Sequence, residues 1–185
     1  MDIIELHRKA VNSFDERVHA VTDWNAPSAC SDWSAKELVN HIVYENKWTP
    51  DLLSGKTLEE VGDSYEGDLV GNDPLGAWHD AAGSAVKAVQ GVSDLEQPVN
   101  VSWGQIPARE YIGQLFLDHL IHGWDLAKGT GGDTDLDPEL VEACWEIAKS
   151  QEDLIRGSGV FGEEQQVPED ASTQTKLLAL LGREG

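Results

Sequence analysis

The stretch Tyr-Ile-Gly-Gln-Leu-Phe-Leu-Asp-His-Leu-Ile-His-Gly-Trp-Asp-Leu-Ala, residues 111–127, decides the fold. Its apolar residues recur at helical spacing, which predicts a largely buried helix. Asp118 and His122 are four positions apart, so their side chains share one helical face with Cβ atoms roughly 5–6 Å apart. A buried carboxylate needs a partner because burying it alone is costly. The spacing leaves two interpretations open: an Asp–His hydrogen bond on a solvated face, or part of a metal site.

A second amphipathic segment starts at Ser34, where Ser34 and Glu37 have the spacing of a capping box. His41 lies on the apolar face of this segment. Two imidazoles and a carboxylate suit a divalent transition metal, and three ligands leave one coordination position open for chemistry. We therefore expect His41, Asp118 and His122 to be metal ligands.

Other polar residues near these positions each leave more than one role open. Glu45 follows His41 by one turn, and its position favours a carboxylate at the rim of the site or behind the ligands, with a fourth ligand left open. If the protein is an enzyme, Glu45 is the candidate catalytic residue, as a general base, with metal-bound hydroxide as the alternative base. Asp125 is expected to accept a hydrogen bond, either from an imidazole, fixing its tautomer, or near the helix end. His119 points away from Asp118, so we expect it at an edge or in another polar contact. The remaining histidines have no partners in the pattern and are expected at the surface: His7, His19 and His79.

Helical periodicity recurs in five stretches, and strand signals are sparse. The helices are expected at about 2–21, 34–53, 73–89, 108–128 and 137–156, with a last short helix over 176–181. An acidic connector covers about 54–72, and a short hairpin is expected around Trp103-Gly104. Long helices joined by loops predict an all-α protein, an antiparallel four-helix bundle with an additional C-terminal helix. At 185 residues, one domain over 1–185 is the simplest organisation.

The charge of the chain excludes several classes of partner. Thirty-four acidic residues against 13 basic ones give a formal net charge of −21. This surface repels phosphate backbones and anionic lipid, so we expect neither nucleic acid nor membrane as a partner. No segment reaches the ~18 apolar residues of a membrane span, and no signal peptide is evident, so a cytoplasmic location is expected. Cys30 and Cys144 are expected to be thiols. Tryptophans exposed at the surface would be consistent with a homodimer interface, so the oligomeric state stays open.

Three segments resemble a known family. The run from Cys30 through Trp33, Leu38 and His41 is similar to the Cys-x-x-Trp-(Ser/Thr)-x-x-x-Leu-x-x-His pattern of the DinB-like superfamily. The run Asp118-x-x-x-His122-Gly-Trp-Asp-Leu-Ala resembles the fourth-helix motif of one branch, the metal-binding domain of mycothiol-dependent maleylpyruvate isomerase. The ending 177–183 is similar to the closing segment of small members.

This resemblance implies a DinB-like bundle that holds zinc or nickel through three side chains, at the positions of His41, Asp118 and His122. Relatives often carry His or Glu where this chain has Asp118, which is shorter than Glu by one methylene. Characterised relatives use low-molecular-weight thiols: mycothiol, bacillithiol or glutathione. The isomerase carries a second domain for which this chain leaves no room, so we do not expect maleylpyruvate isomerisation itself.

The sequence therefore predicts a metal-binding protein, with zinc the first choice and nickel or iron also accepted by the donor set. Its expected activity is that of a transferase or isomerase that uses a mycothiol-type thiol on a small-molecule substrate. The thiol sulfur would occupy the open metal position and ionise there. Two alternatives are a hydrolase that uses metal-bound water and a non-catalytic metal-binding or stress protein. An Fe(II) oxygenase ranks last, because no barrel scaffold is indicated.

Overall fold

The computed structural model describes residues 2–30, 33–152, 156–157 and 161–185, and it divides into two compact units, Met1–Thr134 and Asp135–Gly185. The first unit contains five helices and one hairpin: α1 (Ile3–Ala20), α2 (Ala35–Leu53), α3 (Leu58–Val61), α4 (Pro74–Gln90), β1 (Pro98–Val101), β2 (Gly104–Pro107) and α5 (Ala108–Thr130). The second unit contains two described helices, α6 (Pro138–Ser150) and α7 (Thr173–Leu180). The expectation of a mostly helical protein is confirmed.

Four long helices of the first unit pack around a common apolar core. Helix α1 packs against α4 and α5, and α2 packs against the same two helices, which closes the arrangement. Their inward-facing side chains are apolar at helical spacing, and burying them supplies the main driving force for packing. The largest of the fully buried side chains in this unit are Trp78, Phe14, Phe116, Leu38, Ile42, Ile112, Leu115, Leu120, Ile121 and Leu126.

The helices α2 and α4 begin directly after polar residues that cap their first turns. Ser34 caps α2 as predicted: its hydroxyl accepts from the Glu37 amide at 3.3 Å, and the Glu37 carboxylate accepts from the Ser34 amide at 2.8 Å. Asp73 caps α4 by accepting from the Gly76 amide at 3.0 Å. These bonds satisfy amides that a helix leaves unpaired in its first turn.

Helix ends differ more from the prediction. Helix α5 does not stop at Gly129 but continues to Thr130, and Gly131 ends it with a φ of 74°. A left-handed C-terminal residue of this kind favours glycine because glycine lacks a Cβ. Helix α6 ends at Ser150, earlier than the predicted 156, and residues 153–155 lie outside the described part of the chain. Helix α7 starts at Thr173, three residues before the prediction.

The connector between α2 and α4 holds a helix that periodicity does not reveal. Helix α3 has only four residues, too short for an amphipathic pattern, and it begins with a second capping box formed by Thr57 and Glu60. The predicted hairpin is present, with Val99 opposite Ile106 in an antiparallel pair. Trp103, between its strands, is 60% exposed.

Three broader expectations have different outcomes. No described helix combines the length and the apolar character that crossing a membrane requires. Cys30 and Cys144 are both thiols, as expected. A single domain over 1–185, and a homodimer, stay predictions.

Candidate metal and thiol site

Helices α2 and α5 bring His41 and His122 together. Their ring centroids lie 5.1 Å apart, and the rings meet edge to face at 76°. His122 is buried, and His41 is partly buried. The two residues come from separate helices, so this contact depends on the packing of α2 against α5. Two imidazoles at this separation are suitable donors for one cation.

Asp125 orients the His122 ring. The Nδ1 atom of His122 lies 3.0 Å from the Oδ2 atom of Asp125, whose side chain is fully buried. When Nδ1 carries the proton and donates it to this carboxylate, Nε2 keeps its lone pair and is able to bind a metal. Of the two roles expected for Asp125, the structure supports acceptance from an imidazole.

The loop before α2 forms one wall of the site. The Trp33 ring lies 5.0 Å from the His41 ring and 6.2 Å from the His122 ring, between centroids. The Ala29 amide donates to the main-chain oxygen of Asp125 at 2.9 Å, which ties this loop to α5. A Cβ at Gly129 would lie only 2.3 Å from the main-chain oxygen of Pro27. Glycine at this position therefore permits the close approach of the loop to the helix.

The charge of Asp118 acts on both His41 and Glu45. Burial lowers the pKa of His41, and the nearby charge of Asp118 partly opposes that effect. Burial, together with the charge of Asp118, raises the pKa of Glu45 to about 8. Asp118 is thus close enough to both side chains to influence their ionisation. The predicted site residues lie in one region of the bundle.

The exact set of metal ligands stays a prediction. Within the described ranges, two groups of three residues have potential ligand atoms that all lie within 4.8 Å of one another. One group consists of Cys30, His122 and Asp125, and the set of His41, Asp118 and His122 is not among them. The structure therefore brings the two predicted histidines into contact but does not close the three-ligand set. The sequence interpretation missed Cys30 as a site residue, although Cys30 opens the Cys-x-x-Trp pattern.

A groove opens beside His41. It has a volume of about 890 Å³ and is lined by residues of α2, the loop before it and the connector after α3, including Trp33, Asn40, His41, Tyr44 and Asp68. Asn40 fixes the connector wall: its Oδ1 accepts from the Leu69 amide at 2.7 Å, and its Nδ2 donates to the Gly67 carbonyl at 3.1 Å. The volume is that of a typical small-molecule site.

A comparison with sequence families matches residues 7–127 to the mycothiol maleylpyruvate isomerase N-terminal domain. The chain belongs to this family. The match begins within α1 and ends within α5, so it contains His41, Glu45, Asp118, His122 and Asp125. The expected relationship is confirmed.

Solved structures support the fold of this family member. It resembles the crystal structure of the mycothiol-dependent maleylpyruvate isomerase with a TM-score of 0.64 and 15% identity, over 81% of this chain and 68% of that one. A histidine-to-alanine mutant of the same isomerase matches equally well. This likeness confirms the all-α DinB-like fold.

Two curated relatives of this family member come from Mycobacterium tuberculosis: "Uncharacterized protein MT0763" of strain CDC 1551 / Oshkosh and "Uncharacterized protein Rv0738" of strain ATCC 25618 / H37Rv. Each is 29% identical over 191 residues, which covers 99% of this chain and 98% of the relative.

The other histidines of this family member depart in part from the prediction. His119 is buried, and its Nδ1 lies 2.6 Å from the Leu115 carbonyl, so it makes a different polar contact, as expected. The expectation of a surface position for His7 is wrong, because its side chain is fully buried against His119. His19 and His79 are exposed as expected, but the expectation that they lack convergent partners is wrong. They meet at Asp15 because α1 packs against α4, an adjacency that the sequence alone does not reveal.

Proposed function

We propose that this chain binds a divalent metal and is a transferase or isomerase that uses a low-molecular-weight thiol of the mycothiol type on a small molecule. The observation that carries the proposal is the contact of His41 with His122 beside an open groove. The proposed metal ligands are His41, Asp118 and His122, and Glu45 is the proposed general base. Zinc is the first choice, and nickel or iron also suits the donors.

The donor chemistry supports a bound cation. Asp125 leaves the Nε2 atom of His122 as a lone-pair donor, and Asp118 shares the helical face of His122. The charge of Asp118 acts on the pKa of His41, which supports Asp118 as the third ligand of the set. When bound, the metal would lower the pKa of a coordinated thiol and thus keep it as the thiolate near neutral pH.

The side chains of the protein supply binding and proton transfer. The groove would hold the polar body of the thiol and the substrate, with Trp33 shielding one side from water. Glu45 has a raised pKa and would exchange a proton with the substrate at neutral pH. A side chain that exchanges a proton at neutral pH is what an isomerisation through proton abstraction requires.

The proposal places the protein in the cytoplasm, where small thiols are kept reduced. Its partners would then be a small-molecule substrate and a small thiol. The family relationship supports the dependence on a thiol, because the related isomerase structure is described as mycothiol-dependent.

One observation favours a second candidate, a metal-binding protein without catalysis. The thiol of Cys30 lies within 4.8 Å of potential ligand atoms of His122 and Asp125. A cysteine that completes the ligand set would close the open position, as in structural zinc sites. Cys30→Ser separates the two candidates. It should weaken metal binding strongly if the site is closed, and leave metal and thiol binding within a few-fold if the site is open.

The experiment that tests thiol use is calorimetry on tag-free protein loaded with Zn²⁺. Mycothiol is titrated at pH 7 in two buffers of different ionisation enthalpy, with the S-methyl form of mycothiol as the matched control. A free thiol with a pKa near ~8.5 is mostly protonated at pH 7, so binding as the thiolate should release about one proton. Release of no proton by mycothiol, or equal heats for the S-methyl form, would contradict the proposal.

A further inference from the structure

A second group of metal-competent side chains lies on the outer face formed by α1 and α4. Asp15 and His19 are one turn apart on α1, and His79 is on α4. The Oδ1 atom of Asp15 lies 3.2 Å from Nε2 of His79, and its Oδ2 atom lies 3.5 Å from Nδ1 of His19. The two imidazole rings face each other with centroids 5.1 Å apart. All three side chains are partly open to solvent.

These separations fit a bound transition metal. Zinc–nitrogen and zinc–oxygen bonds of about 2.0–2.2 Å at tetrahedral angles place neighbouring donor atoms roughly 3.3 Å apart. The 3.2 Å between Oδ1 of Asp15 and Nε2 of His79 is close to this value. Potential ligand atoms of all three residues lie within 4.8 Å of one another, so small rotations of exposed side chains would complete the set.

Neighbouring groups already orient two of the three donors. The Nε1 of Trp78 donates to Oδ1 of Asp15 at 2.8 Å, which fixes the carboxylate from the buried side. The Nδ1 of His19 lies 2.9 Å from the main-chain oxygen of Asp15, an arrangement in which Nδ1 carries the proton and Nε2 stays available. Metal-binding imidazoles and carboxylates are typically held by partners of these kinds.

We propose that Asp15, His19 and His79 form a second site for a divalent transition metal, with Zn²⁺ the representative ion, that joins α1 to α4. Two imidazoles and one carboxylate prefer zinc, nickel or copper over the harder magnesium and calcium. The site shares no residue with the one between α2 and α5, so either proposal stands if the other fails. A metal bound only by the folded chain stabilises it.

The alternative is that the two histidines simply hydrogen-bond to Asp15 on a solvated face. In that case Zn²⁺ would find no ordered site on these helices. The net charge of −21 attracts any cation weakly. A test therefore has to distinguish Zn²⁺ held by these three side chains from Zn²⁺ attracted by the overall charge.

The experiment measures Zn²⁺ bound to tag-free full-length protein by equilibrium dialysis and elemental analysis, with Zn²⁺ alone as the probe. The unchanged chain should bind one more equivalent of Zn²⁺ than His19→Ala or His79→Ala does. The Kd of that additional equivalent should be micromolar or lower. Asp15→Asn keeps an acceptor for Trp78 and should weaken this equivalent at least tenfold. The control variants Glu16→Gln and Asp80→Asn remove neighbouring exposed charges and should bind like the unchanged chain.

Thermal unfolding supplies a second readout. At a Zn²⁺ excess of about a hundredfold over Kd, the melting temperature should rise by about 5 °C, and the rise should disappear in His79→Ala. Equal stoichiometry and equal thermal shifts in the chain, His19→Ala and His79→Ala would overturn the proposal. A Zn²⁺-dependent dimer with half an equivalent per chain at this site would overturn the link between α1 and α4 within one chain.

Discussion

The Nδ1 atom of His122 lies 3.0 Å from the Oδ2 atom of Asp125, one turn further along α5. The carboxylate is fully buried, so it fixes the ring and leaves the opposite nitrogen available. The donor properties of His122 therefore depend on a residue that need not contact the metal itself.

We predict that Asp125→Asn weakens metal binding 10- to 100-fold, in the range of about one to two orders of magnitude typical of such partners. The neutral amide keeps the shape of the side chain but supports the imidazole less strongly. The measurement is Zn²⁺ competition with a chromogenic chelator, and thermal melting checks that the variant is folded. Unchanged affinity in a folded variant would show that Asp125 has no influence on the metal.

His41→Ala and His122→Ala should each weaken metal binding at the bundle site by more than about 100-fold, because each removes a proposed ligand. His119→Gln is the matched control on α5: its Nδ1 already contacts the Leu115 carbonyl, so it should keep binding within a few-fold. Competition assays on the three variants provide the comparison. If His119→Gln alone abolishes binding, the ligand assignment is wrong.

Glu45→Gln should lower thiol-dependent turnover by about 100-fold or more, the range of a lost general base, while metal affinity changes little. Because the pKa of Glu45 is raised to about 8, the amide closely matches the protonated carboxyl present at neutral pH. Turnover is measured on a panel of small electrophiles with mycothiol. A large drop in metal affinity would instead make Glu45 a ligand and favour a closed, non-catalytic site.

The stability of the protein should fall in mild acid because of His7. Burial lowers the pKa of His7 to about 3, whereas the unfolded chain has a value near ~6.5. The unfolded state therefore binds a proton that the folded state excludes, so stability is full above pH 6.5 and falls as the pH decreases towards 3. Between pH 7 and pH 5 the loss from this residue is about 2 kcal/mol.

His7→Leu tests this assignment. Urea unfolding at pH 5, 6 and 7 should give a free energy of unfolding that depends less on pH than that of the unchanged chain, by about 2 kcal/mol over the interval. Parallel pH dependences of the two proteins would mean that His7 does not contribute to acid sensitivity.

Ser34→Ala should destabilise the protein by about 1 kcal/mol, or roughly 2–4 °C in melting temperature, because it removes the capping box of the long helix α2. Thr57→Ala removes the same kind of cap from the four-residue helix α3 and should have a smaller effect. Equal losses of stability in the two variants would show that the cap of α2 stabilises the protein no more than the cap of α3 does.

The sequence predicted the contact between His41 and His122 because both lie on the apolar faces of long helices, and such faces must meet inside a bundle. It did not reveal that Cys30 lies near His122, since the position of a loop depends on contacts distant in sequence. The cluster of Asp15, His19 and His79 was missed for a similar reason. Periodicity marks which face of a helix is buried but not which helix lies beside it.

The helix boundaries show the same limit. Polar residues before α2 and α4 marked their starts, because capping is a local interaction. The sequence predicts that α5 stops at Gly129, but that glycine lies within the helix. Its role lies in tertiary packing: the loop passes so close to it that a side chain would not fit.

Gly129 also affects how loss-of-function variants should be interpreted. The loop that approaches this glycine carries Cys30 and Trp33, and Ala29 connects it to the backbone of Asp125. A random mutagenesis screen for inactive variants should therefore recover substitutions at a position that has no functional group. An inactive variant at this position would reflect displacement of the loop rather than loss of a reactive side chain. A residue-by-residue map of activity would therefore include positions that take no direct part in the reaction.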